Sequence, residues 1–294
     1  MIENILYLFT IFALGVILKK RFEKNIDSLI DFIVYVSLPA LVFSHIYRLS
    51  IDSSIVLIIL FGWAVIIFSI MLSATVGKFL KLPKKSLLTF IMVSSFGNTA
   101  FLGYPYIQTL IGDEGLGYAV IFDNLASFLP VVTLGTFIIS FENKTSKFDI
   151  KKILTSPAFL ALIAALLAKS VNISETILSI CDSLGSTITP LALFAVGVKI
   201  DFSKLKSIKY PILFSLFIKM ILVPLLAIFV WQLFFEIDIK AKAALLEIAM
   251  PPMVLASIMV MKAKLDSDLA VASVGLGVVL SFVTVPMIYW ISGF

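Results

Sequence analysis

From Ser53 to Gly77 the chain carries no Asp, Glu, Lys, Arg or His. A run of that length matches the roughly 20 residues needed to cross the hydrocarbon core of a bilayer as a helix. In lipid no water is available for backbone N–H and C=O groups, so a crossing segment must satisfy them internally. Comparable runs recur along the sequence, near 3–18, 27–47, 54–77, 86–111, 115–140, 153–170, 174–198, 209–235, 241–261 and 267–291. The expected fold class is therefore all-α, a polytopic membrane protein of ten transmembrane helices. Composition agrees: 61% of the residues are apolar and only 14% charged, too few charges to cover a soluble domain of this length. Glu3 precedes the first run and the positive cluster follows it, so that run reads as a retained span and not as a secretory signal.

The basic residues give the expected orientation. Lys19, Lys20, Arg21 and Lys24 follow span 1; Lys78, Lys81, Lys84 and Lys85 follow span 3. Lys144, Lys147, Lys151 and Lys152 follow span 5, and Lys199, Lys204, Lys206 and Lys209 follow span 7. With Lys262 and Lys264 after span 9, 18 of the 23 basic residues fall on one side of a ten-span layout. The other side receives Arg48, Lys169, Lys240 and Lys242. The positive-inside rule puts the rich side in the cytoplasm and both termini outside it. The net charge of +5 thus reports membrane orientation, and no nucleic-acid partner is expected. A lone Cys181 and a lone His45 exclude an intrachain disulfide framework and a Cys/His metal cluster. With no H-E-x-x-H and no legible nucleophile–base pair, an enzyme is not expected.

Two spans interrupt themselves. Span 4 contains "GNTAFLGYP" (Gly97 to Pro105) and span 9 contains "EIAMPP" (Glu247 to Pro252). Unpartnered backbone in hydrocarbon costs several kcal/mol per group, so such breaks persist only inside protein or beside a wet cavity. "LPALVF" in span 2 echoes "TPLALF" in span 7, and Asn98 in the first break falls on Pro251 in the second. The chain thus divides into five-span halves, 1–152 and 153–294, the second entering the membrane inverted. Inverted repeats with discontinuous helices are a signature of secondary transporters. At crossing breaks, half-helix N-termini would receive an anion, beside Asn98 and Thr99, while C-terminal carbonyls would suit a cation. Gly97 and Gly103 permit close approach. Pro105, Pro251 and Pro252 suit the first turn of a restarting helix.

Ionisable residues at membrane depth are functional candidates by default. Glu247 lies roughly 9 Å into span 9, counted from Ala241 at about 1.5 Å per residue. Asp123, beside Asn124, lies roughly 10 Å into span 5 by the same rise. An ion-coupling or proton role is expected of them. Lys219 falls near the middle of span 8, either snorkelling to the interface or pairing with a carboxylate as a counter-charge.

"NTAFLGYP" resembles the N-T-x-x-x-G-x-P stretch of the auxin efflux carrier family. Ala249 to Trp290 resembles that family's last two spans, with an A-x-P turn, a short Asp-containing loop and a Ser/Thr-rich final span with a late proline. Ten spans without a large central loop match its compact prokaryotic members. The resemblance implies a fold like that of sodium/proton antiporters and bile acid:sodium symporters. Spans 1, 2, 6 and 7 would form a scaffold, and spans 3–5 and 8–10 a transport domain moving as an elevator. It implies a prokaryotic inner-membrane carrier of a small organic anion, such as a carboxylate, and pairing of two copies through the scaffold. Asn98, Gly103, Pro105 and Pro251 match the family's crossover positions. "EIAMPP" is also similar to the E-x-G-M-Q-N stretch of bile acid:sodium symporters, which makes Glu247 and the carbonyls near Met250 candidate sodium ligands. Pro251 and Pro252 stand where that family has Gln and Asn, so a proton on Glu247 or Asp123 remains an alternative coupling ion, and transport driven by the membrane potential alone is a third reading. A channel or an organic-anion sensor with the same fold is the other reading.

Overall fold

The computed structural model describes residues 2–50, 52–142, 155–200 and 210–293. Seven of the basic residues assigned to the cytoplasmic side, Lys144, Lys147, Lys151, Lys152, Lys204, Lys206 and Lys209, lie outside the described residues. Six helices are each long and apolar enough to cross a bilayer: α2 (Ile26–Arg48), α3 (Ser53–Phe79), α6 (Asp113–Ser140), α8 (Glu175–Lys199), α9 (Tyr210–Phe234) and α12 (Ser267–Ile291). Two shorter apolar helices, α1 (Ile2–Ile17) and α7 (Pro157–Ala168), accompany them. The remaining two stretches are each split, α4 (Lys84–Ser95) from α5 (Tyr104–Leu110) and α10 (Ile239–Ile248) from α11 (Val254–Lys262). Among the described residues no β-strand occurs.

Local chemistry sets where the helices begin. Asp52 caps α3 by accepting from Ser54 N at 2.9 Å, Asp238 caps α10 from Ala241 N at 2.9 Å, and Asp266 caps α12 from Leu269 N at 3.1 Å. Each carboxylate satisfies a first-turn N–H that has no helical partner. Asp52 also pairs with Lys240 in the first turn of α10, and that ammonium, with the Ser54 hydroxyl, draws the Asp52 carboxyl down to about 2. The outward faces are apolar: Leu60, Leu167, Phe229 and Val283 are all exposed. Large apolar side chains in that setting suit a lipid surround, not water.

The helices pack as two groups. In the first, α1 lies on the second half of α8, while α7 and the first half of α8 lie on α2. Ser37 and Thr187 join α2 to α8 through their hydroxyls at 2.7 Å, and Arg48 forks onto both carboxylate oxygens of Asp182 at 2.9 and 2.8 Å. In the second group α3 packs on α4, α6 on α5 and α10, and α12 on α4, α9 and α11. The seam between the groups runs where α8 meets α5 and the residues just before it, and where the end of α2 meets α6.

One contact controls the first group. A methyl added at Gly15 would fall 2.3 Å from the Phe194 carbonyl oxygen, and one at Gly197 would fall 2.2 Å from that of Phe12. Helices α1 and α8 thus touch backbone to backbone, a proximity that only glycine permits. Gly197→Leu is expected to force them apart and to lower unfolding stability by about 1–3 kcal/mol or more. Leu167→Ala, on an exposed face, should stay within about 0.5 kcal/mol. Thermal unfolding of the detergent-solubilised protein measures both.

Candidate functional site

Helix α4 ends at Ser95, and the chain turns extended at Phe96 (φ −105°, ψ 126°). It regains helical form only as a π-turn over Thr99–Gly103, which runs into α5. In the other split, α10 ends at Ile248, and helix resumes at Val254. The two unwound stretches lie antiparallel with Gly97 opposite Pro252. Asn98 N donates to Pro251 O at 2.8 Å, and Met253 N donates to Phe96 O at 2.9 Å. In an antiparallel ladder, hydrogen-bonded and non-bonded pairs alternate, and Gly97–Pro252 is a non-bonded pair. Pro252 therefore gives up no bond by lacking an N–H, which explains how a proline sits inside the bridge. Pro251 and Pro252 press on α12: a methyl at Gly277 would lie 2.7 Å from Pro252 Cδ and 3.2 Å from Pro251 Cβ.

Polar side chains converge on this crossing. Asp123, buried at the start of a π-turn in α6 (Asp123–Phe128), accepts from the Tyr104 hydroxyl at 2.8 Å and from the Thr99 hydroxyl. Thr99 Oγ1 lies 2.9 Å from Ser127 Oγ, which in turn lies 3.5 Å from Gly97 O. Glu247, in the last turn of α10, is fully buried, and neither of its carboxylate oxygens has a hydrogen-bond partner. Its carboxylate fills the space that a side chain at position 103 would take: a methyl on Gly103 would sit 2.1 Å from Glu247 Oε2. Lys219, in a π-turn of α9 (Ile218–Leu222), is buried and donates from Nζ to Ile248 O at 2.6 Å. A methyl on Gly97 would come within 3.0 Å of that Nζ. π-turns in α2, α6 and α9 and before α5 re-aim side chains by inserting a residue into the helix, a feature that recurs at functional sites.

Two cavities accompany the crossing. A space of about 20 Å³ is bordered by Ser69, Ser95, Thr99, Ser127, Lys219 and Glu247, enough for about one water molecule. A larger cavity of about 530 Å³ opens along the seam between the two groups, among His45, Arg48, Gln108, Asp113, Tyr118 and Asp182. Beside it, Thr189 Oγ1 on α8 donates to Gln108 Oε1 on α5 at 2.6 Å, tying one group to the other.

Of the residues singled out in the sequence, Asn98, Thr99, Gly103, Glu247, Asp123 and Lys219 gather at the crossing, with Pro251 in the bridge. Pro105 is buried in the first turn of α5. Met250 is wholly buried, its N–H bonded to Glu247 O at 3.2 Å. Asn124 is turned away and gives its amide to Val120 O within its own helix at 2.9 Å. The Asn98 side-chain amide nitrogen is buried without a partner. Sequence reasoning missed Tyr104, inside the quoted motif, and Ser127, whose i+4 spacing from Asp123 puts both on one helix face. It also missed Gln108 and Thr189, for which no sequence signal existed.

Two of the oxygens that the crossing would offer to a sodium ion already have protein partners. Ile248 O is taken by Lys219, and the Thr99 hydroxyl is committed to Asp123. Among the described residues no cluster of three acidic, His or Cys side chains has metal-binding geometry.

The sequence matches the family described as membrane transport protein over residues 1–289. A protein named an uncharacterized transporter from Methanocaldococcus jannaschii is 28% identical over 287 residues, covering 94% of this chain and 91% of its own length. Another so named, from Methanothermobacter thermautotrophicus, is 24% identical over 299 residues, covering 97% and 96%. With its buried polar crossing between apolar helices, the chain is an integral membrane protein and a transporter, not an enzyme. It belongs to the membrane transport protein family, that of the auxin efflux carriers its broken helices resemble.

Proposed function

We propose that this protein is a secondary active transporter of a small organic anion, a carboxylate above all, working by alternating access. The observation that carries the reading is the buried, unpartnered Asn98 amide at the point where two broken helices bridge each other. A donor left empty inside a membrane protein is costly, and an acceptor that comes and goes would satisfy it. The first-turn N–H groups after Asn98 and after Met253 lack helical acceptors and carry the positive ends of two helix dipoles. A carboxylate resting there meets donors and partial positive charge together.

In this reading the helical pieces make ten crossings as two inverted five-span repeats, and α4–α5 and α10–α11 are each one interrupted crossing. Helices α1, α2, α7 and α8 are the scaffold, through which two copies pair. The rest is the transport domain, which slides along the seam as an elevator. The 530 Å³ cavity on the Arg48 side is the substrate's approach from outside the cytoplasm, and Thr189–Gln108 is a contact that must break for the domain to move. The protein sits in a prokaryotic inner membrane with its basic loops in the cytoplasm. Glu247 or Asp123 carries the coupling proton, because two buried carboxylates share the crossing with one ammonium, Lys219, and one proton removes the excess negative charge.

Counterflow of labelled dicarboxylates in proteoliposomes tests the site. Asn98→Ala is expected to cut exchange at least tenfold while the protein stays monodisperse; wild-type rates in that variant would remove the proposed site. Single-channel currents without saturable exchange would point to a channel instead. For coupling, Glu247→Gln should retain counterflow yet lose stimulation by an imposed pH gradient, measured with a pH-sensitive dye inside the vesicles. Orientation is checked in a Cys181→Ser background. A cysteine at Lys81 should react with a membrane-impermeant maleimide only after the cells are opened, and one at Lys240 should react on intact cells.

A further inference from the structure

We propose that Lys219 is a resident cation of the crossing, holding the place that an inorganic cation would otherwise occupy, so that the site works without sodium. The inference rests on the transporter reading for its consequence in transport, but its structural half stands alone. At the C-terminal end of α10 Leu246 O and Glu247 O accept from Ala249 N and Met250 N, so Ile248 O is the carbonyl left to a side-chain donor at the negative end of the helix dipole. The Glu247 carboxylate sits in that same last turn, wholly buried, with neither oxygen hydrogen-bonded. A helix-end carbonyl beside a buried carboxylate attracts a positive charge, and an ion from solution would normally supply it. Here α9 supplies it from within. Lys219 Nζ donates to Ile248 O at 2.6 Å and borders the same 20 Å³ cavity as Glu247.

Local geometry has been shaped around that ammonium. The π-turn Ile218–Leu222 brings Lys219 to face the crossing. Position 97 is glycine where a methyl would stand 3.0 Å from Nζ and 3.2 Å from Cε. The lysine does not reach toward the membrane surface, as a snorkelling side chain would; its tip is buried at the point where the two broken helices meet.

Charge counting then identifies what is left to exchange. The ionisable groups at the crossing are Asp123 from α6, Glu247 from α10, Lys219 from α9 and the Tyr104 phenol from α5. α3 and α4 contribute only the hydroxyls of Ser69 and Ser95 to the cavity. With the ammonium fixed, two ionised carboxylates leave one negative charge in excess. A single proton on Glu247 or Asp123 brings the cluster to neutrality, and a sodium ion would have to displace the lysine from Ile248 O to bind.

The test uses the full-length protein in detergent and in proteoliposomes, with sodium, potassium or choline chloride at matched ionic strength and pH. Wild-type thermal midpoint and dicarboxylate counterflow should change less than twofold in rate, and not measurably in midpoint, when sodium replaces choline. Lys219→Ala frees Ile248 O and leaves Glu247 uncompensated, so its midpoint should climb with sodium concentration. In Lys219→Ala/Glu247→Gln that sodium response should vanish. Sodium-dependent stabilisation of the wild type would overturn the proposal, as would a folded Lys219→Ala protein indifferent to every cation. Should Lys219→Ala fail to fold in any salt, the double variant decides: its recovery supports the neutralising role, and its failure overturns it. The stability arms need no substrate, so they stand even if counterflow is absent and the transporter reading fails.

Discussion

Backbone hydrogen bonding where water is scarce governs this structure. Helices meet that demand residue by residue, and most of the chain follows them without exception. At two places the helix is given up, and the open backbone of each break is closed by the other, Asn98 N on Pro251 O and Met253 N on Phe96 O. Neither break can exist without its counterpart. The crossing is therefore a single cooperative unit, although its halves lie more than a hundred residues apart in sequence. Its surroundings follow from that dependence. Gly277 is small because prolines must lie against it, Gly103 because a carboxylate must pass, and Gly97 because an ammonium must enter.

What the amino-acid order reveals tracks the range of the interaction concerned. The helices α3 and α12 are legible because an uncharged run has few alternatives in lipid. The interruptions are legible because Gly, Asn and Pro are poor helix residues, and their cluster in "GNTAFLGYP" is local. Asp123 and Glu247 stand out because charge at that depth is rare. That Tyr104 and Thr99 both serve Asp123 is a tertiary fact, set by how α6 packs against the break. For Lys219 the sequence left two readings open, snorkelling or pairing; the contact with Ile248 O depends on a π-turn that no short pattern encodes. Asn124 shows the reverse case: adjacent to Asp123 in sequence, it points back along its own helix, since neighbours on a helix face different ways.

The split between rigid and yielding contacts is also physical. Within the first group α1 and α8 meet backbone to backbone at Gly15 and Gly197, a contact with no slack to slide on. Across the seam the described polar tie is the Thr189–Gln108 hydrogen bond, beside a cavity of about 530 Å³. A hydrogen bond between neutral side chains contributes only about 1 kcal/mol net, so rupture there costs little compared with parting the glycine-lined helices. If the molecule changes shape as a carrier must, the seam is where the least is lost.

The same reasoning constrains where charge can travel. A carboxylate without a hydrogen bond, buried as Glu247 is, cannot remain ionised without a nearby positive group. Lys219 is such a group: it borders the same small cavity as Glu247. Asp123 holds two hydroxyl donors, whereas Glu247 holds none. The two acids are therefore not equivalent: protein hydroxyls already solvate Asp123, while Glu247 is left to the charge balance of the cavity it shares with Lys219.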